Sequence, residues 1–397
     1  MNYQEIKQIE NTHYVDVFGR LDVCFTKGRG TTLIEKRGKH YSDFLSGIAV
    51  NALGYSDAGF KRALKKQTDK LLHTGNYFYI ESQSELVKAL VAATGYDRVF
   101  IANSGAEAVE AAIKLARKYF YDKGENKTEI ITMDGSFHGR TLATLAATGQ
   151  SKFHEAYKPL LEGFKYVPFQ KIGALKEAIT DKTCAVLIEP VQGEGGVMPA
   201  GEVYYQTVRQ ICDEAGILMI ADEIQTGIGR CGQFLASQVY GVKPDIVCLA
   251  KSLGNGLPIG AMLATENTAQ AFKTGDHGST FGGNHLVCAG AAYVVKKISD
   301  EKFLAGVRSI SEYFMRKLEP LERFPQVESV RGLGLMLAVA FYEGFSAKNY
   351  QKALLDAGFV AATAGQNTLR FLPPYIVKKK QIDELVNALE TILTGEK

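Results

Sequence analysis

The sequence predicts an α/β protein, with a mainly parallel sheet covered by helices and a second, smaller domain. Three observations carry this. From about residue 85 to 265, helical periodicity alternates with short apolar runs, the pattern of successive strand and helix units in one sheet. At 397 residues the chain exceeds what one ordinary core accommodates. After residue 290 the texture changes to longer helical patterns, broken by "VRGLGLMLAVAF" and "QNTLRFLPPY".

The elements follow in order. "CFTKGRGTTLIEKRGKHYSDF" near the N-terminus reads as short strands with turns and has no helical periodicity, so the first 50 or so residues are expected to join the C-terminal part. The expected division is an N-terminal segment 1–55 of the smaller domain, a large domain 56–290 and a C-terminal part 291–397. Strands are expected at "RVFIAN" (98–103), "EIITM" (129–133), "CAVLIEP" (184–190), "ILMIADE" (217–223), "DIVCLA" (245–250) and "GAMLAT" (260–265). Between them, "EAVEAAIKLARKYF" and "YYQTVRQICDEAG" repeat apolar residues at three and four, as amphipathic helices do.

Composition narrows the function. The chain is 46% hydrophobic and 22% charged, with no apolar stretch near the ~20 residues a bilayer requires, so no transmembrane helix is expected. Its polar start, "MNYQEIKQIENTHYVDVF", has no hydrophobic signal core, which predicts a cytoplasmic location. A net charge of +3 with scattered basic residues argues against nucleic acid as a partner, and Lys378, Lys379 and Lys380 read as a solvated face. The six cysteines, at 24, 184, 212, 231, 248 and 288, form no CxxC pair and no metal-ligand spacing; they read as reduced core residues, and no metal is expected.

In open parallel sheets, ligands bind beyond the carboxyl ends of the strands, so the residues just after each strand are read together. Ser104 and Gly105 of "NSGAEAVEAAIKLAR" open a helix whose first N–H groups lack internal partners and suit a phosphate; equally, Ser104 is an N-cap with Glu107 completing a capping box. "DGSFHGRT" combines Phe137, a histidine and Arg140, offering an aromatic face for a flat ring and a clamp for a carboxylate, or else a loop with an exposed arginine. Glu189 and Glu194 of "EPVQGEGG" are paired carboxylates in a glycine-rich loop, open to acid and base roles or to a charged surface loop. Asp222 of "IADEIQTGIGRCG" ends an apolar strand, a costly place for a charge without a cationic partner such as a protonated ring nitrogen or an arginine; Gln225 is within reach of the same ligand. Lys251 of "DIVCLAKSLGNGLPIGA" sits at the end of another apolar run, where desolvation favours the free amine, a nucleophile toward aldehydes. One small molecule uses an aldehyde-capturing lysine, an aspartate for a pyridinium nitrogen, a stacking aromatic and a helix start for phosphate: pyridoxal 5'-phosphate.

"FLSGIAVNALG", "NSGAEAVEAAIKLAR", "FHGRT", "EPVQGEGGV", "ADEIQTGIGR", "LAKSLGNGLPIGA", "STFGGN" and "LRFLPP" occur in the order found in class III aminotransferases of the fold type I pyridoxal-phosphate family, which the sequence resembles over nearly its whole length. The resemblance implies a large domain with a mainly parallel seven-stranded sheet, a smaller α+β domain from both termini, and a homodimer with its sites at the subunit interface. It implies that Lys251 takes the cofactor's aldehyde and shuttles the substrate proton, that Asp222 keeps the ring nitrogen protonated, and that Gln225 contacts the phenolic oxygen. Ser104, Gly105 and Ala106 would hold the phosphate, with Thr280 of the "STFGGN" motif reaching it from the other subunit. Phe137 would stack on the ring and Ile224 pack its opposite face. Arg370 would grip the α-carboxylate of glutamate or 2-oxoglutarate and Arg140 the distal one; Ser279 also joins the substrate site, and Glu194 would mask Arg370 when an ω-amine donor is bound.

The sequence departs from the family pattern at Ala106, Val109, Asn255, His285 and the turn Tyr55-Ser56-Asp57, none of which is the lysine or the aspartate. Where ornithine-using relatives have a tyrosine for the free α-amino group, this chain has Gly47 and Ile48, which suit an acylated amine. The expected reaction therefore moves the δ-amino group of N-acetylornithine to 2-oxoglutarate, a step of arginine biosynthesis. The rivals are another ω-amine donor (succinylornithine, ornithine, 4-aminobutyrate or lysine), a nicotinamide-dependent dehydrogenase, which lacks its GxGxxG after a first strand, and a catalytically inert relative, against which Lys251, Asp222 and both arginines argue.

Overall fold

The computed structural model describes residues 1–395. After an N-terminal helix, Tyr3–His13, strands β1 (Phe25–Arg29), β2 (Thr32–Glu35) and β3 (His40–Asp43) form an antiparallel meander. The large sheet begins with β4 (Arg98–Ala102), β5 (Glu129–Met133), β6 (Phe164–Val167) and β7 (Thr183–Ile188). A short hairpin of β8 (Val191–Gln192) and β9 (Met198–Pro199) intervenes, and β10 (Leu218–Asp222), β11 (Ile246–Leu249) and β12 (Gly260–Ala264) complete the sheet. Its order is β4-β12-β11-β10-β7-β5-β6, seven strands in all.

Strands β7, β10, β11 and β12 are buried at every residue, which is why they read as unbroken apolar runs: helices cover both faces. Alternation survives inside them. Ala185 and Leu187 of β7 pack with Ala108, Ala112 and Leu115 of helix Gly105–Asp122, whereas Val186 and Ile188 pack with Tyr205, Val208 and Ile211 of helix Glu202–Ala215.

Two features differ from the sequence reading. Strand β12 runs antiparallel to both of its neighbours, β4 and β11. A parallel return needs a crossover of a dozen or more residues, and the connection 250–259 is irregular and too short for one. Strand β6, pairing in parallel with β5 at the sheet edge, was absent from the expected set; four residues, "FKYV", with a lysine and a half-exposed tyrosine, give no periodic signal.

That same connection holds Asn255, which interrupts the glycines around it. Its backbone is left-handed, φ +44°, and its side-chain oxygen accepts the buried Leu53 N–H at 2.8 Å. The residue is thus kept for its side chain. Asn255→Gly retains the backbone freedom but strands that N–H, and we expect a loss of about 1–3 kcal/mol; an unchanged urea midpoint would show the bond to be dispensable.

The remaining strands are β13 (Val327–Leu333), β14 (Met336–Phe341), β15 (Phe359–Val360), β16 (Ala362–Ala364) and β17 (Thr368–Phe371). They form a sheet β13-β14-β17-β16, while β15 pairs in parallel with β3, so the two ends of the chain share the sheet β1-β2-β3-β15. Phe44 seals this junction against Phe314, Phe359 and Phe371, with ring centroids 5.6 to 6.5 Å apart.

All six cysteines are free, five of them buried, and burial pushes the thiols of Cys184 and Cys212 up to about 12. Among the described residues no helix is long and apolar enough to cross a membrane.

Candidate active site

The carboxyl ends of β4, β5, β7, β10 and β11 converge on one cavity of about 510 Å³, the position at which open α/β sheets take ligands. Lys251 enters it one residue after β11 ends, in a 3₁₀ turn, Lys251–Leu253, with φ +39°. A non-glycine residue held there stores roughly 1–3 kcal/mol of strain, as functional positions do. Among the described residues its amine has no hydrogen-bond partner. Burial pushes its pKa below the usual lysine range; Glu194 pulls the other way, and Arg370 adds to the lowering.

Asp222, the last residue of β10, is buried, as the sequence reading expected of a charge with a partner. The partner is His138, whose Nδ1 donates to Oδ2 at 2.8 Å, while the Ile224 N–H donates to Oδ1 at 3.1 Å. His138 has no exposed side-chain surface, and its Nε2 finds no partner. Sequence reasoning gave this histidine no role of its own; its one signal was its place beside Phe137 after a strand.

Ser104 caps the helix Gly105–Asp122, its hydroxyl accepting the Glu107 N–H at 3.2 Å. The Glu107 carboxylate reaches the Asn103 N–H at 2.5 Å, one residue earlier than a reciprocal capping box would place it. The N–H groups of Gly105 and Ala106 stay unspent at the cavity wall, so cap and anion cradle coexist. A Cβ on Gly105 would lie 2.8 Å from the Ile224 Cδ1, so only glycine lets the helix start sit against that side chain. Ile224 and Phe137 present apolar surface to the same cavity.

The two glutamates after β7 have different uses. Glu189 accepts the N–H groups of Phe137 at 3.2 Å and Gly193 at 3.3 Å, tying two loops together; burial, and then Asp222, push its carboxyl well above the usual range. Glu194 instead accepts Nη1 of Arg370 at 2.5 Å, and the same nitrogen reaches Gln225 Oε1 at 3.2 Å. Burial alone would raise the Glu194 carboxyl, but Arg370, together with Lys251 and Gln225, holds it below its ordinary value. Arg370 lies on β17, buried, and comes to Glu194 across 176 positions of sequence.

Arg140 stands at the cavity mouth over the rings of Phe137 (5.3 Å) and Phe153 (4.2 Å), with no carboxylate partner among the described residues. An outer cavity of about 470 Å³ shares Arg140, Glu194 and Lys251 with the inner one and is walled also by Gly47 and Ile48. Ser279 and Thr280 are not brought into either cavity of their own chain. The Ser279 hydroxyl accepts from Asn103 Nδ2 at 3.0 Å, and Thr280 is exposed.

Residues 15–393 match the family model for class-III aminotransferases. The chain belongs to that family. It is 46% identical over 396 residues, 99% of each chain, to the acetylornithine aminotransferase of Methanocaldococcus jannaschii. Among solved structures it is similar to an acetylornithine aminotransferase from Elizabethkingia anophelis (33% identity, TM-score 0.88, 100% of both chains). It is similar also to an ornithine aminotransferase from Toxoplasma gondii with partial occupancy of pyridoxal phosphate at its active site (29% identity, TM-score 0.95, 99% of this chain and 94% of that one).

The family's cofactor is pyridoxal 5'-phosphate, and the residues present fit it. The cavity offers a half-buried amine without a partner among the described residues, a buried carboxylate, unspent N–H groups at a helix start and two apolar side chains, which together answer an aldehyde, a ring nitrogen, a phosphate and the faces of a flat ring.

Proposed function

We propose that this chain moves the δ-amino group of N-acetyl-L-ornithine to 2-oxoglutarate, giving N-acetyl-L-glutamate 5-semialdehyde and L-glutamate, the step that serves arginine biosynthesis in the cytoplasm. The observation that carries this reading is the Glu194–Arg370 pair beside Lys251. An ω-amine donor carries no carboxylate at its reacting carbon, whereas glutamate and 2-oxoglutarate do. Arg370 satisfied by Glu194 therefore suits the first, and Arg370 released suits the second. A buried arginine left alone would be costly, so the pair gives one pocket two states.

In this reading the residues divide as follows. When bound, the cofactor supplies an electron sink for the bond pair released at the substrate carbon. Lys251 holds it through its amine and moves the proton at the substrate carbon. Asp222, oriented by His138, keeps the ring nitrogen protonated. Ser104 with the N–H groups of Gly105 and Ala106 grips the phosphate, Phe137 and Ile224 flank the ring, and Gln225 contacts the phenolic oxygen. Arg140 receives the distal carboxylate.

The protein works as a homodimer in this proposal, with Thr280 and Ser279 serving the neighbouring subunit's site. Support comes from the surface around Thr280. Tyr77, Phe78, Tyr79 and Phe281 are exposed there, and Asn76 bonds the carbonyls of Ser279 and Gly282 at 2.9 Å, holding these loops side by side. The division into segments 1–55 and 291–397 around a large domain 56–290 is likewise proposed, and the shared sheet of β1–β3 with β15 supports joining the two ends.

Donor choice is the testable part. Gly47 and Ile48 at the mouth favour an uncharged acyl group over a free ammonium, and the curated relative bears the acetylornithine name. We expect kcat/KM for N-acetylornithine to exceed that for ornithine or 4-aminobutyrate by roughly tenfold or more, the scale of a lost or mismatched pocket contact. Equal values would return the choice to another ω-amine donor, succinylornithine and lysine included.

A further inference from the structure

The loop that carries Glu194 leaves the large sheet after β7, yet it is also fastened to the C-terminal sheet. Arg331, on β13, donates from Nε at 3.1 Å and from Nη2 at 2.8 Å to the single carbonyl of Gly196. Its other contacts stay within the C-terminal sheet: Nη1 reaches Ser329 Oγ at 2.6 Å and Nη2 reaches Thr368 Oγ1 at 3.2 Å. Arg331 has no carboxylate partner among the described residues, so its guanidinium is spent on a loop carbonyl. Beside it, the Gly365 N–H donates to the carbonyl of Glu194 itself at 2.9 Å.

The seam is tight. A Cβ on Gly365, φ +59°, would lie 3.1 Å from the Gly196 Cα, and one on Gly196, φ +103°, would lie 3.3 Å from Nη2 of Arg331. Thr368, Gly365 and Arg370 lie in the β16–β17 hairpin or its turn. Glu194 is thus fastened to the same sheet that carries Arg370, through one bond at its own carbonyl and a forked one two residues on.

We propose that Arg331 is a positioning residue that sets the Glu194–Arg370 pair. By clamping Gly196 it fixes the loop in register with β17, so that the carboxylate meets the guanidinium when no substrate carboxylate is present. Without the clamp, one backbone tie to the C-terminal sheet remains, at the Glu194 carbonyl, so Glu194 spends less time on Arg370 and the arginine stands open. The inference rests on the two-state reading of that pair.

The test uses holoenzyme and two readouts that general loosening would move together. One is the half-reaction with N-acetylornithine; the other is the dissociation constant of glutarate, an unreactive dicarboxylate, by calorimetry. In Arg331→Ala we expect kcat/KM for the donor to fall about fivefold while glutarate binds about threefold tighter, the scale on which residues in a contiguous network alter coupling. Arg331→Lys, which can still donate to Gly196, should fall between. The double variant with Glu194→Ala should match Glu194→Ala alone, because the clamp acts only through that residue.

Loss of both donor rate and glutarate affinity, or an additive double variant, would overturn the proposal. If the alanine variant does not fold, Arg331→Lys decides: a partial shift in opposite directions supports the clamp, and wild-type values on both readouts refute it. A Glu194→Ala enzyme unchanged in both would remove the pair's switching role, and with it the clamp.

Discussion

Lys251→Ala is expected to abolish transamination, with a fall in kcat of roughly 10³–10⁴-fold or more, since both the covalent hold on the cofactor and the proton transfer are lost together. The purified wild-type protein should carry a visible absorption band from the cofactor bound through Lys251, and the variant should lose that band. The structure says why no neighbour can substitute. Among the described residues Lys251 is the one lysine lining the inner cavity; Arg140, which also lines it, is a guanidinium and no nucleophile toward an aldehyde. Its pKa is lowered, with burial as the first cause, so at a given pH a larger share of this amine is free than on an exposed lysine. A variant with the wild-type band and rate would mean that another group holds the cofactor, and the assignment of the cavity would fail. Lys251→Arg separates charge from nucleophilicity: it keeps a cation near Glu194, and we expect it to be as inactive as the alanine variant.

The second large effect is expected at Asp222. Asp222→Asn preserves shape and one hydrogen bond but removes the charge opposite a ring nitrogen, and we expect kcat to fall by roughly 10²–10³-fold, the scale for a single preorganised electrostatic contact. The change also strips His138 of its acceptor. Nδ1 now donates at 2.8 Å to a carboxylate, inside a site with no exposed surface on the histidine, whereas an asparagine presents either a weaker carbonyl or a competing N–H. The variant should still take up the cofactor and show a band, because Lys251 and the helix start are intact. Activity within threefold of wild type would show that the ring nitrogen needs no anion here.

The strand ends were legible because the signal is local. A parallel sheet covered on both faces writes its strands as apolar runs, and the residues just beyond such runs mark the ligand side; Ser104, Phe137, Glu189, Asp222 and Lys251, read in that way, all line one cavity. The capping reading of Ser104 was also local, and it erred by one residue over where Glu107 reaches. Strand β6 escaped because four residues at an edge, half of them polar or half-exposed, need no apolar pattern. The reversal of β12 left no mark on its own residues, since a buried strand has the same composition in either direction.

From the chain alone, then, come the class of fold, the list of groups able to do the chemistry and, through resemblance, the cofactor they suit. The fold class and the strand-end groups rest on periodicity and on neighbours in sequence; Arg370, Thr280 and Ser279 come from the resemblance alone. The pairing of those groups belongs to the folded molecule: His138 with Asp222 across 84 positions, Arg370 with Glu194 across 176, and Arg331 on the Gly196 carbonyl across 135. Side chains so far apart meet only where packed sheets bring their backbones together, and burial then decides which charge is held, which amine is freed and which arginine waits.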